Sequence, residues 1–161
     1  MLFMGEEWAS SSPFQFFSSH PEPDLARATA EGRKREFADH GWDADEIPDP
    51  QDPATFERSK LKWDEVDEGD HGRLRAFYQG LIALRNDPDL ADPWLDHLQI
   101  DYDEDARWFL MRRGAFAIAC NLGEKDVDVP VTGQAVLTWG EPDLGADATR
   151  LGGHSVTVLK T

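Results

Sequence analysis

Near the start of the chain, Glu6 and Glu7 stand beside Trp8 at the end of the short run Leu2-Phe3-Met4-Gly5. Two carboxylates next to an indole suit sugar chemistry. Acids accept hydrogen bonds from hydroxyls, and an aromatic ring can cover the apolar face of a pyranose. A few residues on, Phe14-Gln15-Phe16-Phe17-Ser18-Ser19-His20 mixes aromatics with polar groups inside a Ser-rich stretch. Loops carry large aromatics where these pack or bind. Packing is the plainer account of the phenylalanines, as a solvated Glu and a core Trp would be of the first group.

Other chemistries find little support. The five histidines, His20, His40, His71, His97 and His154, show neither the HxxxH spacing nor the Cys pairs of a metal site. No G-x-S-x-G elbow is present for a serine nucleophile, and Gly152-Gly153 opens a strand rather than a phosphate-cradling helix. The single Cys, Cys120, rules out an internal disulfide and alternates with apolar residues, as a buried thiol would. No cofactor is expected. With 16 Lys+Arg against 32 Asp+Glu the formal charge is −16, the wrong sign for a nucleic-acid partner. No apolar run approaches the roughly 20 residues of a membrane span, and MLFMGEEW lacks a basic leader, so a cytoplasmic protein is expected. The excess of Asp and scarcity of Lys fit either a well-solvated surface or a high-salt habitat.

The elements that must hold these residues fall into two kinds. Leu2-Phe3-Met4 reads as a buried parallel strand with its polar residues at the C-terminal end. Asp24 reads as the cap of a helix running to Ala38, with Glu31 and Arg35 at a stabilising i,i+4 spacing. Residues 43–54 are too rich in Pro and Asp for regular structure. Asp52-Pro53 then caps a short helix to about Lys60. The clearest helix spans 70–86, where Leu74, Phe77, Tyr78, Leu81 and Ile82 form one apolar stripe. After Pro93 the period changes to 2. Strands are expected at 97–102, 107–112, 115–121, 127–131, 135–139 and 155–159, a small antiparallel sandwich. The boundary falls near 88–96, giving domains 1–90 and 91–161.

The stretches LFMGEEWASSSPFQFFSSHPEPDLARATAEGRKREF and PDPQDPATFERSKLKW resemble the malto-oligosyltrehalose trehalohydrolases, a family of alpha-amylase-type glycoside hydrolases. FAIACNLGEKDVDVPV and the closing GGHSVTVLK are similar to the β-domain that ends such enzymes. The resemblance implies an α+β fragment: the last strand and helices of a (β/α)8 barrel, then a β-sandwich. Such a barrel needs roughly 250 residues. The family cleaves an α-1,4 glycosidic bond by a retaining route and releases trehalose from maltooligosyl trehalose. Its catalytic carboxylates lie on motifs upstream of the eighth strand that do not occur here, so no catalytic residue is assigned. Substrate binding is carried over to Glu6, Glu7, Trp8, Phe17 and His20. The implied partners are maltooligosyl trehalose or another α-1,4-glucan, and the remaining barrel as a separate chain. Two alternatives are the end of a glucan branching enzyme and a non-catalytic glucan-binding or structural sandwich.

Overall fold

A computed structural model describes residues 1–41, 43 and 46–161. The irregular reading of 43–54 therefore falls in part outside the described residues; from 46 to 51 the chain makes turns. The described chain forms two compact units, 1–74 and 75–161.

In the first unit, Leu2, Phe3 and Met4 do not form the expected strand and remain about half exposed. A strand exists only by pairing, and among the described residues nothing pairs with them. The chain instead reverses at Gly5, whose φ of +83° suits glycine. A Cβ there would lie 2.8 Å from Ser10 Cβ and 2.9 Å from Leu61 Cδ2. The turn leads directly into a 3₁₀ segment, Glu6–Trp8.

Helix α1 spans Pro23–Ala38. The fixed φ of Pro23 makes it the first helical residue, so Asp24 lies inside the first turn and pairs with Arg27 instead of capping. The expected Glu31–Arg35 pair forms at 3.8 Å. Helix α2 spans Pro53–Arg58, and its cap is as expected: Asp52 accepts the Ala54 N–H at 2.8 Å. Thr55, fully buried, donates its hydroxyl to Asp49 O at 2.7 Å and ties the helix to the preceding turn.

Helix α3, Gly69–Leu84, is the periodic helix, with Asp70 in its first turn. Arg85 lies just past its end and donates to Leu90 O at 2.8 Å. Leu90 belongs to a short helix absent from the sequence reading, α4 at Pro88–Ala91, capped by Asp87.

The second unit contains the sandwich. Its strands are β1 (Leu98–Asp103), β2 (Trp108–Arg113), β3 (Phe116–Asn121), β4 (Val127–Val129), β5 (Gln134–Trp139), β6 (Asp143–Leu144), β7 (Thr149–Leu151) and β8 (Ser155–Lys160). One sheet runs β1-β2-β3-β8-β5 and the other β4-β7-β6, all antiparallel. The six expected strands are present, and the fold class of helices followed by an antiparallel sandwich holds. The inner faces meet at Leu110, Ala117, Ala119, Val129, Val131, Leu151 and Leu159. Fully burying Leu110 alone stabilises by roughly 1.5–3 kcal/mol. Val129 and Val131 point inward, while Asp126 and Asp128 face Arg150 at 3.4–3.5 Å.

The opposite face of the larger sheet is also apolar. Register places Tyr102, Phe109, Cys120, Val156 and Trp139 in one row. Ile100, Met111, Ile118, Val158 and Leu137 make the next row. The second half of α3 lies over the β5 end of these rows. Phe77 packs on Trp139 with ring centroids 5.6 Å apart, and Leu84 joins Leu90, Phe116 and Val158. Gly80 permits the approach, since a Cβ there would meet Leu137 Cδ1 at 2.7 Å. This is why β3 alternates apolar residues on both faces. Leu81 and Ile82, from the same stripe, stay exposed.

Candidate functional site

The turn at Gly5 sets the geometry of the first acidic–aromatic group. Glu6 and Glu7 are half-buried, whereas Trp8 is only 1% exposed. The indole of Trp8 lies against that of Trp63, centroids 5.1 Å apart, and Trp63 is 67% exposed. A saccharide reaching this place would therefore meet Trp63 first, with Trp8 supporting it from below. Glu7 Oε2 and Trp8 Nε1 are both buried with no hydrogen-bond partner among the described residues. Such orphaned groups cost roughly 1–3 kcal/mol each unless a ligand or water satisfies them. His71 Nδ1 lies 2.7 Å from Trp8 O, which pins the turn to the start of α3.

The loop after Trp8 is anchored by Glu65. Its carboxylate accepts the Ser11 N–H at 2.7 Å and the Ser11 hydroxyl at 2.8 Å, while Lys62 Nζ donates to the same hydroxyl oxygen at 2.9 Å. The backbone bond from Ser11, followed by its hydroxyl, lowers the Glu65 pKa from 4.5 to about 2. A depressed carboxylate pKa means the tether is fully present above pH 4.5. It is lost as the pH falls through 2. Acid titration followed by tryptophan fluorescence should show a transition between these values, and Glu65→Gln should abolish it.

The second predicted group is held differently. His20 donates its backbone N–H to Gln51 Oε1 at 3.0 Å, and Gln51 Nε2 donates to Ser18 Oγ at 2.5 Å. The Ser18 N–H bonds Pro50 O at 2.8 Å. One glutamine thus fixes the loop through both ends of its amide. Phe17 meets Phe56 edge-on at 5.1 Å, with Lys60 Nζ 4.7 Å from the Phe56 ring. Between them lies a groove of about 470 Å³ lined by Phe17, Ser18, Gln51, Asp52 and Phe56. Aromatic walls with hydroxyl, amide and carboxylate groups at the rim can bind a polyol.

Phe14, Phe16 and Phe17 are paired but not core. Phe14 meets Phe3 edge-on at 4.7 Å, the Arg33 guanidinium sits 5.2 Å from the Phe16 ring, and all three phenylalanines remain more than a third exposed. The structure therefore holds Phe17 and His20 on one scaffold, 17–20 against 50–56. It holds Glu6, Glu7 and Trp8 on another, with Trp63 and His71. Trp63, Gln51 and Phe56 were missed by the sequence reading. The signal for Trp63 was its setting in Lys60-Leu61-Lys62-Trp63-Asp64-Glu65, where charged neighbours mark an exposed aromatic. Gln51 and Phe56 carried no comparable mark. Cys120 is half-buried, and burial raises its pKa, as expected of an unreactive thiol.

Known proteins extend this picture. Residues 93–158 match a family described as a domain of unknown function, DUF3459. A crystal structure of a provisionally assigned alpha amylase from Salmonella typhimurium superposes with a TM-score of 0.76 at 32% identity, covering 99% of this chain and 27% of that one. In fold and in sequence the chain is thus similar to the matching part of that alpha-amylase-type protein. It is 62% identical over 161 residues to malto-oligosyltrehalose trehalohydrolase from Mycobacterium tuberculosis, covering 99% of this chain and 28% of that protein. The same enzyme from Rhizobium sp. (strain M-11) is 46% identical over 157 residues, 97% of this chain and 26% of the relative. The chain is a homologue of malto-oligosyltrehalose trehalohydrolase and spans little more than a quarter of its length. Among the described residues, no helix is long and apolar enough to cross a membrane.

Proposed function

We propose that this chain is a glucan-contacting, non-catalytic portion of an enzyme that releases trehalose from maltooligosyl trehalose. The enzyme would cut the α-1,4 bond next to the terminal trehalose unit. The observation that carries the reading is the 62% identity, sustained over 99% of the chain, to an enzyme named for that reaction. Two local features support it. One is the exposed Trp63 over Trp8, the residue that follows Glu7, whose Oε2 has no partner among the described residues. The other is the Phe17–Phe56 groove, with Gln51 holding the loop of His20.

In this reading Trp63 and Phe17 offer ring faces to glucosyl units. Glu6 and Glu7 accept hydroxyl bonds, and Trp8 and His20 position the surfaces that touch sugar. The half-exposed Leu2-Phe3-Met4 run is the place where the remaining strands of a (β/α)8 barrel would pair, in the same or a separate polypeptide. Residues 1–90 would then be barrel and 91–161 the appended sandwich.

Affinity electrophoresis of this chain through a gel containing soluble starch tests the binding part. Retardation is expected, and it should weaken about two- to tenfold in Trp63→Ala or Phe17→Ala, because one aromatic stacking contact is worth about 0.5–1.5 kcal/mol. Equal mobility with and without starch overturns glucan contact by this chain.

A further inference from the structure

Phe14 and Phe16 belong to a second cavity of the first unit, with a volume of about 400 Å³. Pockets for small molecules usually measure about 300–1,000 Å³. Its apolar walls include Phe14, Phe16, Phe37 and Ile47, and Gln15, Arg33 and Glu46 are its polar lining groups. None of these residues lines the groove of Phe17 and Phe56. The chain passes from one cavity to the other between Phe16 and Phe17.

Two of the polar groups are held in place with bonding capacity to spare. The Arg33 guanidinium carbon stands 4.3 Å from the Phe37 ring centre and 5.2 Å from that of Phe16. One of its N–H groups donates to Glu36 Oε2 at 3.0 Å. Stacking fixes the plane in which the remaining donors of the guanidinium point. Gln15 keeps its Oε1 buried with no hydrogen-bond partner among the described residues. The Gln15 N–H donates to Ser59 Oγ at 3.4 Å, which holds the backbone, but the terminal torsion of a glutamine is soft. The amide can therefore turn to meet a hydroxyl that enters the cavity.

We propose that this cavity is a separate carbohydrate site, which takes a neutral pyranose ring with a phenylalanine against its C–H face. The lining chemistry selects that ligand. A purely apolar molecule leaves Gln15 Oε1 without a donor. A phosphate or carboxylate meets Glu46 and an Arg33 already paired with Glu36, in a chain of formal charge −16. A sugar ring carries no charge, donates to Gln15 and Glu46, and accepts from Arg33. The choice of a glucosyl ring rests on the function proposed above; the existence of the site does not. Such a ring comes either from a glucan chain or from free trehalose, and the test separates the two.

Backbone amide shifts of this chain are followed by NMR during titration with maltoheptaose and, separately, with trehalose, each up to its solubility limit. Residues 14–16, 33, 46 and 47 should respond to at least one of the sugars, and the response should persist in Phe17→Ala. Arg33→Met should weaken the affinity about tenfold or more, because it removes a charged donor. Gln15→Leu should weaken it about two- to tenfold while the melting temperature stays level or rises, since a buried acceptor without a partner is deleted. A residue serving packing alone would not separate affinity from melting in this way. A response to maltoheptaose alone assigns the site to glucan chains, and a response to trehalose alone assigns it to the free disaccharide.

No response at these residues to either sugar overturns the proposal. If residues 17–19, 51 and 56 respond nonetheless, the glucan reading stands without it; silence at both sets overturns both. Two sets of responses lost together in Phe17→Ala would show one continuous groove and overturn the separate site. So would full affinity in Gln15→Leu and Arg33→Met. If Arg33→Met does not melt cooperatively, the Gln15→Leu titration decides.

Discussion

Purified by itself, the chain is expected to release neither trehalose nor glucose from maltooligosyl trehalose above the buffer rate, even at high protein concentration. Retaining hydrolysis needs two carboxyl groups about 5–5.5 Å apart across one bond, one of them kept protonated. Glu6 and Glu7 are successive residues of a single 3₁₀ segment. At three residues per turn their side chains leave the axis about 120° apart, so they cannot flank a bond from two sides. Glu65, held near pKa 2 by Ser11, is the reverse of a proton donor at neutral pH. Glycosidase rate enhancements lie within the 10⁶–10¹⁷ range of enzymes in general, so losing the carboxylate pair amounts to losing the reaction. Product analysis by anion-exchange chromatography would read this directly. Turnover that disappears in Glu6→Gln or Glu7→Gln would refute the non-catalytic assignment.

The second large effect concerns stability. Trp8→Ala should destabilise the first unit by about 3–5 kcal/mol, the usual cost of emptying a buried aromatic site. Trp8 is 1% exposed and is among the largest fully buried side chains of the chain. Trp63→Ala, by contrast, should cost about 1 kcal/mol or less, since its ring is mostly in solvent and contributes one aromatic contact. The two tryptophans therefore separate packing from binding. Urea unfolding should shift strongly for the first and little for the second, while starch retardation should weaken in Trp63→Ala with the fold intact. Equal destabilisation by both would make the pair a structural unit and remove Trp63 from the glucan surface.

The sandwich was the most legible part of the sequence. Phe116 and Ile118 alternating with Ala117 and Ala119 announced a strand covered on both faces, and β3 is that strand. Asp52-Pro53 likewise named its own helix start. What escaped was short or dependent on context. β7 has three residues, Thr149–Leu151, and alternation over three positions is no period. Asp24 looks like a cap only until Pro23 is recognised as the first helical residue. Leu2-Phe3-Met4 carries a buried-strand pattern, but a pattern supplies only one side of a ladder. Among the site residues, the 1% exposure of Trp8 fits the core alternative named for it, but what would cover it was not legible. Trp8 meets Trp63 from a distant position in the chain, and local spacing does not encode that. Gln51 was invisible for a related reason. Its importance lies in bonding Ser18 and His20 across 31–33 residues, and a lone amide gives no hint of such reach.

The position of β8 bears on how this protein comes off the ribosome. Residues 155–160 insert between β3 and β5, two strands synthesised earlier. While that strand is still inside the exit tunnel, the β1–β3 meander can form from neighbours, but β3 keeps an open edge and β5 has no partner on the larger sheet. Leu159, fully buried in the finished core, is delivered after both of those strands. Closure of the larger sheet thus waits for β8 and depends on contacts of long sequence separation, the slow kind. Until then the nascent chain presents unpaired β edges of the sort that holdase chaperones shield from neighbouring polysomes.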